Sequence, residues 1–183
     1  MARLYTLPLT ATADHLRAPF RVGSGASFTA LVEQYQAMVF SIAFRFFRCR
    51  ETAEELSQDV FLELYRSQPV FDSPAHVAFW LRKTASHRCI DLGRRRKLRP
   101  RLGLQQVPEP TVCAPETDPL LQRAITGMLD DLAETPRLVM ILRYQEDLDP
   151  AEIAAILDMP VATVKSHLQR SVAALRSKLR GER

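Results

Sequence analysis

Residues 149–172 read DPAEIAAILDMPVATVKSHLQRSV, and this stretch admits very few folds. Asp149, Pro150 and Glu152 stand at the N-cap, N1 and N3 positions of a capping box, so a helix starts here with its first amides satisfied. It carries Ile153, Ala154 and Leu157 and runs for about two turns. Asp158, Met159 and Pro160 end it, because the residue before a proline is pushed out of the α region. From Val161 a second helix sets Val164, Leu168, Val172, Leu175 and Leu179 on one stripe, which leaves Thr163, Lys165, Ser166, Gln169 and Arg170 facing outward. A short helix, a tight turn and a long helix with a polar leading half form a helix-turn-helix, whose second helix suits a DNA major groove. A C-terminal hairpin with a solvated face fits the same periodicity. The cap, the turn length and the donor-rich face favour DNA: Lys165 and Arg170 can neutralise phosphates, Arg170 can grip guanine edges, and Gln169 can pair with adenine.

The remaining chain predicts an all-α protein of two small domains. Residues 1–26 mix proline, glycine and aperiodic apolar residues, as a mobile arm does. From Ser27, an expected N-cap, Leu31, Tyr35, Met38, Ile42 and Phe46 recur at helical spacing. In the next helix, Ala53, Leu56, Val60 and Leu64 share the core face; Glu55, Gln58, Asp59 and an isolated Leu62 occupy the opposite one. A loop, PVFDSPAHVAF, then leads into WLRKTASHRCIDLGRRRKLR, expected to be helical until Gly93. Five prolines in residues 100–119 mark a linker. Beyond it come LLQRAITGMLDDLAE and TPRLVMILRYQ, the latter with Thr135 and Pro136 as its expected cap and first turn, and then the helix-turn-helix. The expected division is an arm at 1–26, a first domain at 27–99, a linker at 100–118 and a second domain at 119–183.

Charge is polarised along this frame. The net charge of +4 and pI near 9.2 say little by themselves. Arg82 to Arg101 holds nine Lys or Arg against one acid, however, whereas Glu51 to Tyr65 holds five acids and no base. The acidic face with Leu62 in its middle suits a basic amphipathic partner helix, charge steering it and one apolar anchor holding it; a solvated helix face is the alternative. The basic run suits a nucleic-acid backbone, whose bound counterions it would release. Three cysteines share no short ligand spacing, and the four histidines are scattered, so neither a metal site nor a cofactor nor an enzyme is expected. No run reaches the roughly 18 apolar residues of a membrane helix, so the expectation is a cytoplasmic protein without membrane insertion.

The blocks FTALVEQYQAMVFSIAFRFF, AEELSQDVFLELYRS and FWLRKTASHRCIDLGRRRK resemble region 2 of the extracytoplasmic-function group of bacterial sigma factors, in the sigma-70 family. LAETPRLVMILRYQEDLDPAEIAAILDMPVATVKSHLQRSVAALRSKL resembles region 4. The resemblance implies a region 2 helical bundle that binds the clamp of core RNA polymerase and melts the minus-10 element, and a region 4 that reads minus-35 DNA. It also implies an anti-sigma factor as a regulator. The polymerase site it implies lies at Glu55, Gln58, Asp59, Phe61 and Leu62, with Phe61 equally suited to the core. For minus-10 DNA and its backbone it implies Phe71, Trp80, Lys83, His87, Arg88, Arg94, Arg95 and Arg96, with Trp80 also suited to the core. For minus-35 DNA it implies Thr163, Lys165, Ser166, Gln169 and Arg170. His87 and Ser86 stand where the family commonly has Asn and Arg, and Asp158 replaces a frequent turn glycine.

Linker length agrees with two promoter elements. Residues 102–118 span up to about 60 Å when extended, which is about 17 base pairs of duplex. Two other readings remain: a sigma-like decoy in an anti-sigma partner switch, and a stand-alone helix-turn-helix regulator. The basic run speaks against the first, and an N-terminal domain with an acidic docking face against the second.

Overall fold

A computed structural model describes residues 20–21, 26–98, 127, 129 and 131–179. The linker and most of the N-terminal arm lie outside the described residues. The elements are β1 (Phe20–Arg21), α1 (Ala26–Phe47), α2 (Arg50–Ser67), β2 (Val70–Phe71), α3 (Pro74–Leu98), α4 (Glu134–Tyr144), α5 (Pro150–Ile156) and α6 (Val161–Leu179). Among the described residues the fold is all-α apart from one antiparallel pairing, Phe20 with Phe71 and Arg21 with Val70. That pairing departs from the strand-free expectation, since two residues carry no readable alternation.

The first three helices pack on one another through α1. Val39, Ile42, Ala43 and Phe46 of α1 are buried against Ala53, Leu56, Val60 and Leu64 of α2 and Val77, Leu81, Ala85 and Cys89 of α3. Helix α1 starts at Ala26, one residue before the expected cap at Ser27. Arg48 in the left-handed region and an extended Cys49 turn the chain directly into α2.

Helix α3 is longer than the sequence pattern suggests at both ends. It starts at Pro74 rather than near Trp80: the Ser73 hydroxyl accepts from the His76 N–H at 3.2 Å, and Pro74 occupies the first turn, where its missing N–H costs nothing. It also continues through Gly93 to Leu98. Gly93 is where neighbours come close, since a Cβ there would lie 2.9 Å from Glu134 Cγ and 3.3 Å from the Phe46 ring. The glycine admits the start of α4 against α1 and α3.

Helix α4 buries Leu138, Val139, Met140, Ile141 and Leu142 in succession, because α1, α3, α5 and α6 contact it from different sides. Its first residue is Glu134 and its N-cap is Ala133, which forms no side-chain cap, so Thr135 and Pro136 lie inside the helix instead of opening it. Arg137 clasps this junction. Its guanidinium donates to the Phe46 and Leu129 carbonyls at 3.1 Å each and lies 5.5 Å from the Phe46 ring centroid.

Helix α5 carries the expected capping box: the Asp149 carboxylate accepts from the amides of Ala151 and Glu152, and the Glu152 carboxylate accepts from the Asp149 N–H at 2.8 Å. It ends with Asp158 at φ 51°, and the Met159 N–H donates to the Ala154 carbonyl at 3.1 Å, the bond of a Schellman turn. Buried residues of both helix groups belong to one apolar cluster.

Candidate nucleic-acid and polymerase interfaces

Burial of Val164 and partial burial of Leu168 and Val172 fix the rotation of α6. Thr163, Lys165, Gln169 and Arg170 are consequently exposed along its leading half. Ser166 is half-buried, and its hydroxyl donates to the Ala162 carbonyl at 2.9 Å. The expected minus-35 set therefore lies together on one open helix face, four members free to reach outward and one tied partly to its own backbone.

The expected polymerase set divides between two flanks of α2. Gln58 and Leu62 border a groove of about 710 Å³ between α1 and α2 that Phe28, Val32, Phe40 and Phe61 also line. Leu62 is 46% exposed, whereas Phe61 is 7% exposed and belongs to the core. Glu55 and Asp59 lie on the other flank, at a cleft of about 870 Å³ shared with Phe79, Trp80, Thr84 and Asp158. The apolar groove and the Glu55 and Asp59 carboxylates thus lie on opposite flanks of α2, and the acid at the groove itself is Glu54, paired with Arg50 at 2.7 Å.

Residues expected at minus-10 DNA occupy three environments. Phe71 is completely buried, its ring 6.4 Å from that of Trp80 and 5.3 Å from that of His76. It packs the start of α3 instead of presenting an open stacking platform, because β2 turns its side chain inward beneath exposed Val70. Trp80 is half-buried on the wall of the larger cleft.

Lys83, His87, Arg88 and Arg96 contact the rest of the chain. Lys83 Nζ lies 2.7 Å from Asp158 Oδ1, and His87 Nε2 lies 3.1 Å from the Ile156 carbonyl oxygen. Arg88 binds the Glu63 carboxylate at 2.6 Å and Asp59 at 3.3 Å. Arg96 donates to Thr52 Oγ1 at 2.6 Å and covers the Phe47 ring. Arg94 and Arg95 are exposed and have no ion pair among the described residues.

Sequence reasoning counted Arg82 among the basic residues but missed its partner Glu146 and the pairing role of Asp158. Arg82 donates to Glu146 at 3.0 Å across the two helix groups, with Glu146 only 9% exposed. The hydrogen bond from Lys83 holds the Asp158 carboxyl below its ordinary range, with the Lys83 and His87 charges adding to the effect. Burial pushes the Cys89 thiol up, consistent with a packing role, and hydrogen bonds from Thr52 lower that of Cys49. Among the described residues, no cluster of three His, Cys, Asp or Glu could hold a metal ion, and no helix is long and apolar enough to cross a membrane.

Known proteins are similar to this chain in sequence and in fold. Residues 31–99 match the family described as Sigma-70 region 2, and residues 122–175 match Sigma-70, region 4. The ECF RNA polymerase sigma factor SigK of Mycolicibacterium vanbaalenii is 31% identical over 179 residues, covering 93% of this chain and 91% of the relative. SigW of Bacillus subtilis, also an ECF RNA polymerase sigma factor, is 28% identical over 177 residues, covering 86% and 91%. Among solved structures, the sigma factor RpoE in complex with the anti-sigma factor NepR from Bartonella quintana matches with a TM-score of 0.68 at 18% identity, covering 87% of this chain and 100% of that one. CnrH in complex with the cytosolic domain of CnrY matches at 0.62 and 20% identity, covering 86% and 90%. These two likenesses are of fold.

Proposed function

The chain belongs to the extracytoplasmic-function group of the sigma-70 family, and from that premise we propose how its surfaces divide the work of promoter recognition. It is an alternative sigma factor, which joins core RNA polymerase, recognises minus-35 and minus-10 elements and initiates transcription of a specific set of genes. Its partners are core polymerase, promoter DNA and an anti-sigma factor. We assign residues 27–99 to polymerase binding and promoter melting, 119–183 to minus-35 binding, and 100–118 to the connection between them. The work is that of a transcription regulator in the cytoplasm, with no catalytic step of its own.

The observation that carries the DNA-reading part is the rotation of α6, which buries Val164 and leaves Thr163, Lys165, Gln169 and Arg170 in solvent behind a completed capping box. Ser166 joins them at the groove edge. Arg and Gln side chains suit purine edges, and Lys suits phosphates. On α2, Leu62 and Gln58 supply the anchor for a polymerase helix in the apolar groove, Phe61 forms the groove floor, and Glu55 and Asp59 supply the steering charge. On α3, exposed Arg94 and Arg95 take the DNA backbone first, while Lys83, His87, Arg88 and Arg96 must exchange intramolecular partners to do so. Trp80 stands at the edge where an unpaired base would stack, and Phe71 supports that edge from beneath.

A gel-shift assay on a promoter fork tests this division. Core polymerase with the protein should retain a forked minus-10 junction that neither retains by itself. Retention by the protein without polymerase would favour the stand-alone regulator, and no retention under either condition would favour the decoy.

A further inference from the structure

The cationic face of α3 is covered by the chain's own helix-turn-helix. Arg82 pairs with Glu146 at 3.0 Å, Lys83 with Asp158 at 2.7 Å, and His87 Nε2 meets the Ile156 carbonyl at 3.1 Å and Asp158 Oδ2 at 3.4 Å. The acceptors come from the loop after α4, the last residue of α5 and the turn that follows it. They present carboxylate and carbonyl oxygens to Arg82, Lys83 and the His87 ring at the distances that phosphate oxygens adopt.

Asp158 is the most informative of them. It occupies the left-handed C′ position after α5, where glycine is the least strained residue, and an aspartate there adds a carboxylate that Lys83 binds. The recognition face of α6 stays in solvent throughout, with Thr163, Lys165, Gln169 and Arg170 exposed.

We propose that this turn is a built-in mimic of the DNA backbone: docked on Arg82, Lys83 and His87, it masks the promoter-melting face of the free protein while leaving the minus-35 face open. The masking consequence rests on the sigma-factor reading given above; the docking itself does not. Apolar packing of α4 on α1 and α3 and the Arg137 clasp also hold the helix groups together, and the ion pairs add the part that salt or substitution can release. Arg82 and Glu146 are 23% and 9% exposed, but Lys83 and Asp158 are 36% and 58% exposed, so water and salt compete for the second pair. The linker is long enough for the helix groups to separate once polymerase engages each of them.

Small-angle scattering on the intact free chain tests the docking without DNA or polymerase. Asp158→Gly removes the carboxylate and keeps the left-handed turn, and Glu146→Gln removes the second charge with little change of shape. The wild type should be compact at low salt; the double variant, and the wild type at about 1 M salt where charges are screened within about 3 Å, should show a larger radius of gyration. A wild type already extended at low salt would overturn the docking, and a double variant as compact as the wild type would overturn the part these ion pairs play in it, either result leaving the sigma-factor assignment standing. The masking is read by titrating a fluorescent single-stranded minus-10 oligonucleotide into the free chain. The double variant should bind it about ten-fold tighter, the size expected from losing two partly exposed pairs; unchanged affinity in a chain shown to have opened would overturn the masking.

Discussion

Asp59 and Arg88 lie 3.3 Å apart, so an acid assigned to polymerase and a cation assigned to DNA are each other's partners in the free chain. Glu63 shares the same guanidinium at 2.6 Å. Reversing the charge with Asp59→Lys should weaken binding to core polymerase about ten-fold, the scale of removing both steering and one polar interaction at an interface. The melting temperature should barely move, because the pair is partly exposed and Glu63 keeps Arg88 anchored. Fluorescence anisotropy against core polymerase, beside a thermal melt, reads both; unaltered affinity would remove this flank of α2 from the docking surface.

Phe61 and Leu62 are neighbours with opposite roles. Phe61→Ala should cost about 3 to 5 kcal/mol of folding stability by opening a cavity beneath the groove, whereas Leu62→Ala should leave urea unfolding within about 0.5 kcal/mol of wild type. Polymerase affinity should follow the reverse logic, with Leu62→Ala lowering it in a fully folded protein. Equal destabilisation by both changes would contradict the assignment of Leu62 as an exposed anchor.

Lys165 and Arg170 are placed for phosphates or base edges. Replacing both with Ala should weaken binding to minus-35 duplex and lower the slope of log K against log salt by about one unit for each phosphate left without its cation. A weaker complex with an unaltered slope would place both side chains on bases.

Acid should loosen the junction of α3 and α4. A hydrogen bond from Lys97 holds the Glu134 carboxyl below its ordinary value of 4.5, with a backbone hydrogen bond and the Lys97 and Arg137 charges adding to it. A carboxyl depressed in the folded state contributes stability that is fully present above its unfolded pKa and is lost as pH falls through the lower folded value. Melting temperature should therefore decline below about pH 4.5, and Glu134→Gln should make that decline shallower. Asp131 and Asp158 are shifted in the same direction, by Lys178 and Lys83 respectively, so some decline should persist in the variant.

Local signals in the sequence carried much of this fold. The capping box of Asp149 and Glu152 involves groups three residues apart, and the rotation of α6 follows from a stripe beginning at Val164, so both could be read without tertiary information. The start of α3 had a signal too, the Ser73 and Pro74 pair, hidden within a stretch that resembled a loop. Gly93 illustrates the opposite difficulty: helix propensity predicts weakening there, but packing against Phe46 and Glu134 overrides it. Least legible were the contacts of Arg82, Lys83 and His87, whose partners lie 64 to 75 residues away and become neighbours only when the two helix groups meet. Charge counting identified the cations correctly and could not show that they already had partners.

Run-off transcription with purified core polymerase on sheared DNA from the source genome, with and without this protein, tests the central claim most directly. The sigma-factor assignment predicts discrete transcript starts that appear only with the protein and share paired elements upstream. Polymerase that binds the protein and still initiates nowhere new would contradict it.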